Sequence, residues 1–333
     1  MKSPHLDQIM AALLNKRKTH SALRALTTAP PTSIDFSSND FLSLSSSPLL
    51  KKAYLDELAT SANFRLGSGG SRLLDGNSTY AEGLEGEIAA FHRAPSGLLF
   101  NSGFDANSGF FSCVPQPGDI ILHDQAIHAS VHEGMRLSRA GACVSFAHNS
   151  VSDLKSKLLE LLKSDDLVKT GTRNVFIAIE SLYSMDGDLA PVAEIVELVE
   201  TLLPSRNGLI VVDEAHSNGI YGFQGRGIVC HLGLEDRIFA RLHTFGKGLA
   251  CNGGNVFSLC LIVGDTDQDG ITAILLCSAL TRQYLINYAR PLIYTTSMSF
   301  PSLTAIRVVY GLMKQGLTQP VRLPILSLRL ESH

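Results

Sequence analysis

The 333-residue chain has no tryptophan, and its aromatic content of 7% is low for a stacking platform that binds single-stranded nucleic acid. An excess of one charge is missing too. The formal net charge of −3 provides no basic field for nucleic acid. The six cysteines, at 113, 143, 230, 251, 260 and 277, include no Cys-x-x-Cys pair. That pattern fits reduced intracellular thiols and argues against a disulfide framework or a zinc site. No apolar run reaches the roughly 18 residues of a membrane span. Residues 1–20 are polar and lack the apolar centre of a secretory signal. The expectation is a soluble intracellular protein, cytoplasmic by default, with a peroxisomal address left open for a longer form, since no terminal Ser-Lys-Leu is present.

What is present is apolar and regularly spaced. Hydrophobic residues make up 45% and charged ones 18%, enough for a sizeable core in one large domain or two ordinary ones. Gly97-Leu98-Leu99-Phe100, Ile120-Ile121-Leu122, Val144-Ser145-Phe146, residues 175–179 before Glu180, Leu209-Ile210-Val211-Val212 and Ile238-Phe239-Ala240-Arg241-Leu242 read as strands. Between them, helices are expected from a cap at Asn77 or Ser78 to about His92 and over residues 151–162 and 191–203, with another at 302–314. This alternation predicts an α/β fold with a mainly parallel sheet covered on both faces, in one large domain over residues 37–300. An N-terminal arm of residues 1–36 precedes it, with helical spacing over 6–26 and a stop at Pro30-Pro31. Residues 301–333 begin something else.

Several motifs bear on chemistry. Gly67-Ser68-Gly69-Gly70-Ser71-Arg72 is not a dinucleotide loop, because Arg72 stands where the third glycine belongs and no strand precedes it. A tight turn near an active site suits it better. Strand 97–100 runs into Asn101-Ser102-Gly103-Phe104, which would aim backbone N–H groups and a helix dipole at an anion, as any strand-to-helix turn does. His123, His128 and His132 lack the H-E-x-x-H pattern, and no metal is expected. His128 is the best placed of the three to lie flat on an aromatic cofactor. The most informative pair is Lys247, flanked by glycines after one strand, and Asp213, at the end of another. A lysine with small neighbours suits a Schiff base, and an aspartate can hold a pyridinium nitrogen protonated. Each alone also reads as a turn lysine or a strand-end cap. Ligands of open α/β sheets bind at the carboxyl ends of strands, so both should face one crevice.

In order along the chain, Ser38-Asn39-Asp40-Phe41-Leu42, the glycine segment 67–71, residues 124–134, Phe146-Ala147-His148-Asn149, Ser184-Met185-Asp186-Gly187-Asp188, Asp213-Glu214-Ala215-His216, Gly225-Arg226-Gly227, Thr244-Phe245-Gly246-Lys247 and Arg290-Pro291-Leu292-Ile293-Tyr294-Thr295-Thr296 resemble the α-oxoamine synthases. These are fold type I pyridoxal phosphate enzymes, and the likeness covers residues 13–254 and 273–314. The resemblance implies that Lys247 carries pyridoxal 5'-phosphate and removes the amino-acid α-proton. It implies that Asp213 pairs with the ring nitrogen, His216 with the ring hydroxyl, and that His128 stacks on the ring. Ser102, Gly103 and Phe104 would meet the phosphate, and Glu180, Ser184 and Thr244 would line the site. Thr295 and Thr296 would reach the phosphate of a neighbouring subunit, which implies a homodimer. Arg24 falls at an acyl-binding arginine, although its spacing alone fits a solvated helix.

The implied reaction is a decarboxylating condensation of an amino acid with an acyl-CoA, with L-alanine and pimeloyl-CoA as the leading pair. Another amino acid or acyl-CoA, as in aminoketobutyrate ligases or secondary-metabolite relatives, and a non-catalytic product are the alternatives. Two departures stand out. The family's C-terminal small domain is expected to be largely missing, and residues 255–272 have no family counterpart. Asp265-Thr266-Asp267-Gln268-Asp269-Gly270 imitates a calcium loop, but its twelfth position is Leu276 rather than Glu. The apolar stretch 256–263 is β-prone and an aggregation hazard. Deleting residues 255–272 should raise soluble yield and bound cofactor; equal values with and without the segment would make it an innocuous surface loop.

Overall fold

The computed structural model describes residues 3–251 and 272–318, apart from 27, 29, 31, 62 and 63. Two compact units divide at Ser38 and Asn39. In the first, Pro4 opens helix α1 (Pro4–Thr19), which stops well short of residue 26. Local bonding explains the early stop: Thr19 Oγ1 donates to the Lys16 carbonyl at 2.8 Å, and Ser21 takes φ +53°. A helix cannot continue through that left-handed residue.

In the second unit, Ser47 and Ser78 accept backbone N–H bonds that start α2 (Pro48–Thr60) and α3 (Thr79–Phe91). Then come β1 (Ser96–Phe100), α4 (Gly103–Cys113), β2 (Ile120–Asp124), α5 (Ala129–Leu137), β3 (Ala142–Phe146), α6 (Val151–Ser164) and α7 (Asp166–Lys169). The chain goes on through β4 (Val175–Glu180), α8 (Val192–Leu202), β5 (Gly208–Asp213), α9 (Ile228–Leu232) and β6 (Ala240–Thr244). It continues from β7 (Ala273–Cys277) to α10 (Ala279–Tyr288), α11 (Arg290–Ile293) and α12 (Phe300–Lys314). The seven strands lie in the order β1-β7-β6-β5-β4-β2-β3. Pairs from β6 to β3 are parallel, as the alternation of strands and helices requires. The exception is β7, antiparallel to both β1 and β6.

Side chains alternate between the two faces of each strand, and both faces are covered. On one, Ile177, Ile210 and Val212 pack with Leu154 and Leu158 of α6 and Ile195, Val196 and Val199 of α8. On the other, Val211, Leu242 and Leu275 meet Ala106 and Phe110 of α4, Val131 of α5 and Leu285 of α10. A third cluster joins Leu99, Ile274 and Leu276 to Ile88 of α3 and to Ile306 and Val309 of α12. Burial on both faces explains why these strands read as unbroken apolar runs.

Among the described residues, no helix is long and apolar enough to cross a membrane. The expected insert, but for Thr272, lies outside the described residues. At its edges, Thr272 Oγ1 donates to the Cys251 carbonyl at 3.2 Å, and the Phe245 N–H donates to Thr272 O at 2.9 Å. The chain therefore departs and returns at one place.

Helices α4 and α5 approach closely at Gly134, where a Cβ would stand 2.7 Å from Phe111 Cβ and 3.1 Å from the Asn107 carbonyl. Neither neighbour is a flexible chain end, so Gly134→Ala should destabilise by about 1–3 kcal/mol. A urea midpoint at or above wild type would show that the helices separate freely.

Candidate active site

Parallel register brings the chemistry together. Glu180, the last residue of β4, pairs with Asp213, the last of β5, and Asp213 in turn pairs with Leu242 of β6. Three strands thus end almost level, and the segments that follow share one edge of the sheet. Open α/β sheets bind ligands at this carboxyl edge.

Asp213 is buried, and both carboxylate oxygens are occupied. Oδ1 accepts from the Ala215 N–H at 2.9 Å, and Oδ2 accepts from Asn107 Nδ2 at 2.8 Å. Asn107 spends its second hydrogen on Ser130 Oγ at 3.0 Å. Ser130 lies 2.7 Å from His128 Nδ1, which also accepts the Ser130 N–H at 3.3 Å as the cap of α5. His128 Nδ1 is therefore an acceptor, and its proton resides on Nε2. One polar line joins Asp213 to His128 through Asn107 and Ser130, two residues that reading the sequence did not single out. The available signal was helical spacing: Asn107 lies one turn after Gly103, on the same side of α4.

Lys247 Nζ stands 2.8 Å from His216 Nε2. Burial, with the nearby Lys247 charge, pushes the His216 pKa down to about 2, so its imidazole is neutral and Nε2 accepts from the amine. Phe41, from the Asn39-Asp40-Phe41 stretch, places its ring 6.3 Å from that of His216, tilted by 57°. Burial and then the Asp213 charge raise Glu180 well above the usual carboxylate range, against the opposing pull of Lys247 and the His128 N–H.

At the other end of the site, Ser102 caps α4 by accepting the Asp105 N–H at 2.9 Å. Gly103 leads that helix, and a Cβ on it would meet Thr244 Cγ2 at 2.8 Å, so only glycine lets the helix start come this close to β6. Phe104 follows on the first turn of α4. Thr244 Oγ1 donates to the Ala215 carbonyl at 3.2 Å.

Other expected residues lie elsewhere. Ser184 is exposed in the turn after Tyr183. Thr295 Oγ1 and the Thr296 carbonyl both accept from Asn101 Nδ2 of the same chain, at 3.2 and 2.7 Å. Beside them Ser297 holds the glycine segment, its N–H donating to Gly70 O at 2.9 Å and its Oγ to Gly76 O at 2.6 Å. Arg24 belongs to the first unit, in the irregular stretch after α1. His123 sets its Nδ1 3.0 Å from the Asp124 carbonyl and meets His132 edge-on at 5.1 Å, apart from the bonds that hold His128.

The family model for aminotransferase class I and II matches residues 31–310. An 8-amino-7-oxononanoate synthase of Emericella nidulans is 54% identical over 93% of this chain and 71% of its own length. The aminoacyl transferase sphA of Byssochlamys spectabilis is 40% identical over 86% of this chain and 57% of its own length. This chain thus spans little more than half of some relatives that it matches. A variant serine palmitoyltransferase solved with pyridoxal phosphate superposes with a TM-score of 0.74 at 25% identity, over 93% of this chain and 74% of that one.

The Ser184–Asp188 turn is pinned from behind. His148 lies between two carboxylates, with Nδ1 2.8 Å from Asp124 Oδ1 and Nε2 3.0 Å from Asp188 Oδ2. Asn149 Nδ2 donates to the same Asp188 oxygen at 2.6 Å. Burial pulls the His148 pKa down, but the two aspartates outweigh it and the net shift is upward. A raised histidine pKa stabilises the fold fully below the unfolded value, and that stabilisation is lost as pH rises through the folded value. The excess urea midpoint of wild type over His148→Gln should therefore be widest below the ordinary histidine pKa of about 6.5 and shrink as pH rises through the raised folded value. A gap independent of pH would remove the charge from this account.

Proposed function

Because the chain belongs to the aminotransferase class I and II family, and within it to the α-oxoamine synthases, we propose that it condenses L-alanine with a pimeloyl thioester to give 8-amino-7-oxononanoate, a step of biotin biosynthesis. The observation that carries the choice of reaction is the 54% identity to the Emericella nidulans synthase, well above the 40% to the aminoacyl transferase. The second reading keeps the chemistry and changes the acyl chain or amino acid, and the 40% relative favours it.

The residues fit pyridoxal phosphate. A buried carboxylate with both oxygens anchored, an amine beside a neutral imidazole, and a helix start that tolerates no Cβ are what its ring nitrogen, aldehyde and phosphate require. When bound, the cofactor supplies a sink for the electron pair left on the amino-acid α-carbon. Asp213 would hold the ring nitrogen, His216 the ring hydroxyl, and the N–H groups of Gly103 and Phe104, with Ser102, the phosphate. His128 would cover the ring face, and Glu180, Ser184 and Thr244 would line its edge. Thr295 and Thr296 would serve the phosphate of a second copy, in a homodimer. Arg24 would meet the far carboxylate of the acyl chain.

Lys247 would bind the cofactor through Nζ and, once the amino acid displaces it, take the α-proton onto the same atom. His216 Nε2 orients that amine and, with its pKa pushed down to about 2, is too weak a base to take the proton itself. Glu180, whose pKa burial raises well above the usual carboxylate range, lies beside Asp213 at the strand ends. In the overall reaction a bond forms from the α-carbon to the thioester carbonyl carbon. The C–S electron pair leaves with the thiol, and the carboxyl group leaves as CO2.

Purified protein with pyridoxal phosphate and L-alanine should release CoA faster with pimeloyl-CoA than with acetyl-CoA or palmitoyl-CoA. Lys247→Ala should lose the visible cofactor absorbance and lower turnover by roughly 10²–10⁴-fold or more. A preference for palmitoyl-CoA would move the assignment to the second reading. An unchanged spectrum in Lys247→Ala would place the covalent link elsewhere.

A further inference from the structure

Two of the groups that would touch a cofactor ring come from different elements. Asp213 closes β5, and His128 caps α5. Both are tied to one amide. Asn107 Nδ2 donates one hydrogen to Asp213 Oδ2 at 2.8 Å and the other to Ser130 Oγ at 3.0 Å. Asn107, Ser130 and Asp213 are all buried, so bulk water does not compete for these bonds.

Counting hydrogens fixes the direction of each bond. A carboxylate has none to give, so Asn107 must turn its NH2, and not its oxygen, towards Asp213. The second amide hydrogen fills one side of Ser130 Oγ. Among the described residues, the only other hydrogen-bond partner of that hydroxyl is His128 Nδ1, at 2.7 Å. The Ser130 backbone N–H donates to the same nitrogen at 3.3 Å. Nδ1 thus meets two donors of one residue, which places the ring hydrogen on Nε2 and fixes the plane of the imidazole. A hydrogen on Nδ1 would stand against the Ser130 N–H and remove the cap of α5.

Helix packing sets the span that the amide must bridge. Gly134 lies one turn after Ser130 on the same side of α5. There α5 meets the backbone of α4, since a Cβ on Gly134 would stand 3.1 Å from both the Asn107 carbonyl and Ser108 Cα. A side chain as short as asparagine reaches Ser130 because nothing larger than glycine holds the helices apart. Asn107 in turn lies one turn after Gly103. The start of α4 would therefore serve the phosphate, and its next turn the carboxylate at the ring nitrogen.

We propose that Asn107 and Ser130 are positioning residues: one shared amide fixes the carboxylate of Asp213 and, through Ser130, the tautomer and plane of His128. The groups at the nitrogen and at the face of the ring are thereby set together. Neither residue touches the reacting atoms. Losing the Ser130 hydroxyl frees the His128 tautomer and leaves Asp213 its amide. Losing the Asn107 amide disturbs both, because Asp213 Oδ2 loses its donor and Ser130 Oγ can turn to accept from an Nδ1–H.

The proposal rests on the pyridoxal phosphate reading, and the measurement separates the two. Wild type, Ser130→Ala and Asn107→Leu are prepared as the full chain with isotope-labelled histidine, with His128→Gln to identify the His128 signals. Asn107→Ala replaces the leucine variant if that does not fold. Ring-nitrogen chemical shifts, which report where the hydrogen sits, are recorded on the purified protein and after loading with pyridoxal phosphate. Visible absorbance gives the dissociation constant of the cofactor. Wild type should show His128 as the Nε2–H tautomer alone. Ser130→Ala should mix the two tautomers and weaken cofactor binding by less than about threefold, since the bond to Asp213 remains. Asn107→Leu should mix them and weaken binding about tenfold, one lost hydrogen bond to a charged group. A wild type with mixed tautomers, a Ser130→Ala with the wild-type tautomer, or an Asn107→Leu with the wild-type value of either readout would overturn the positioning role and leave the cofactor assignment standing. A wild type that gains no visible band with pyridoxal phosphate would overturn both.

Discussion

Everything at the carboxyl edge follows from where three parallel strands stop. Backbone hydrogen bonds carry the register past the last strand residues: the Ser181 N–H reaches the Asp213 carbonyl at 2.8 Å, and the Glu214 N–H reaches the Leu242 carbonyl at 2.8 Å. Shifting one strand by a residue would exchange its faces, putting Glu214 where Asp213 belongs. Core packing on both sides of β5 opposes that shift, because Ile210 and Val212 are fitted to one layer of helices and Val211 to the other. The site is exact because the core behind it is.

Charge in this region is arranged by depth. Four carboxylates, Asp124, Glu180, Asp213 and Glu214, are all less than a tenth exposed. Each has a different settlement. Asp124 accepts from the backbone N–H groups of Ala126 and Asn149, at 2.8 Å each, and is bonded to His148. Asp213 has Asn107 and the Ala215 N–H, Glu214 has a helix start, and burial raises the pKa of Glu180 well above the usual carboxylate range. Leaving such groups unpaired would cost several kcal/mol apiece. The polar network is thus part of what makes the fold possible as well as what makes the site reactive.

Much of this could be read in advance. Asp213 and Glu180 were visible as acidic residues closing apolar runs, and Lys247 as a lysine between glycines after another run, because a strand buried on both faces leaves a contiguous signature. Ser78 was visible as one of two candidate caps, with Asn77, and Ser102-Gly103 as a helix start, for the same local reason. Asn107 and Ser130 were not, since their meaning depends on how α4 and α5 rotate against the sheet, which spacing within one helix does not determine. The end of α1 was overrun because the apolar spacing continues past the point where Ser21 turns the backbone. That β7 runs antiparallel was also hidden: Ala273-Ile274-Leu275-Leu276-Cys277 is equally apolar in either direction, and only its neighbours decide.

The placement of β7 has a consequence for the order of assembly. It separates β1 from β6, so β1 acquires its partner only when Ala273 arrives opposite Phe100, 273 − 100 = 173 residues later. At about 5–20 residues per second of synthesis, the N-terminal strand and the apolar side of α3 wait on the order of ten seconds or more on a ribosome before their sheet edge exists. During that interval the strands from β2 to β6 can already pair through connections of ordinary length. β1 is therefore joined late to the five strands β2–β6 by a single strand, and until that strand has been made Leu99 and Ile88 lack the Ile274 and Leu276 side chains of their cluster.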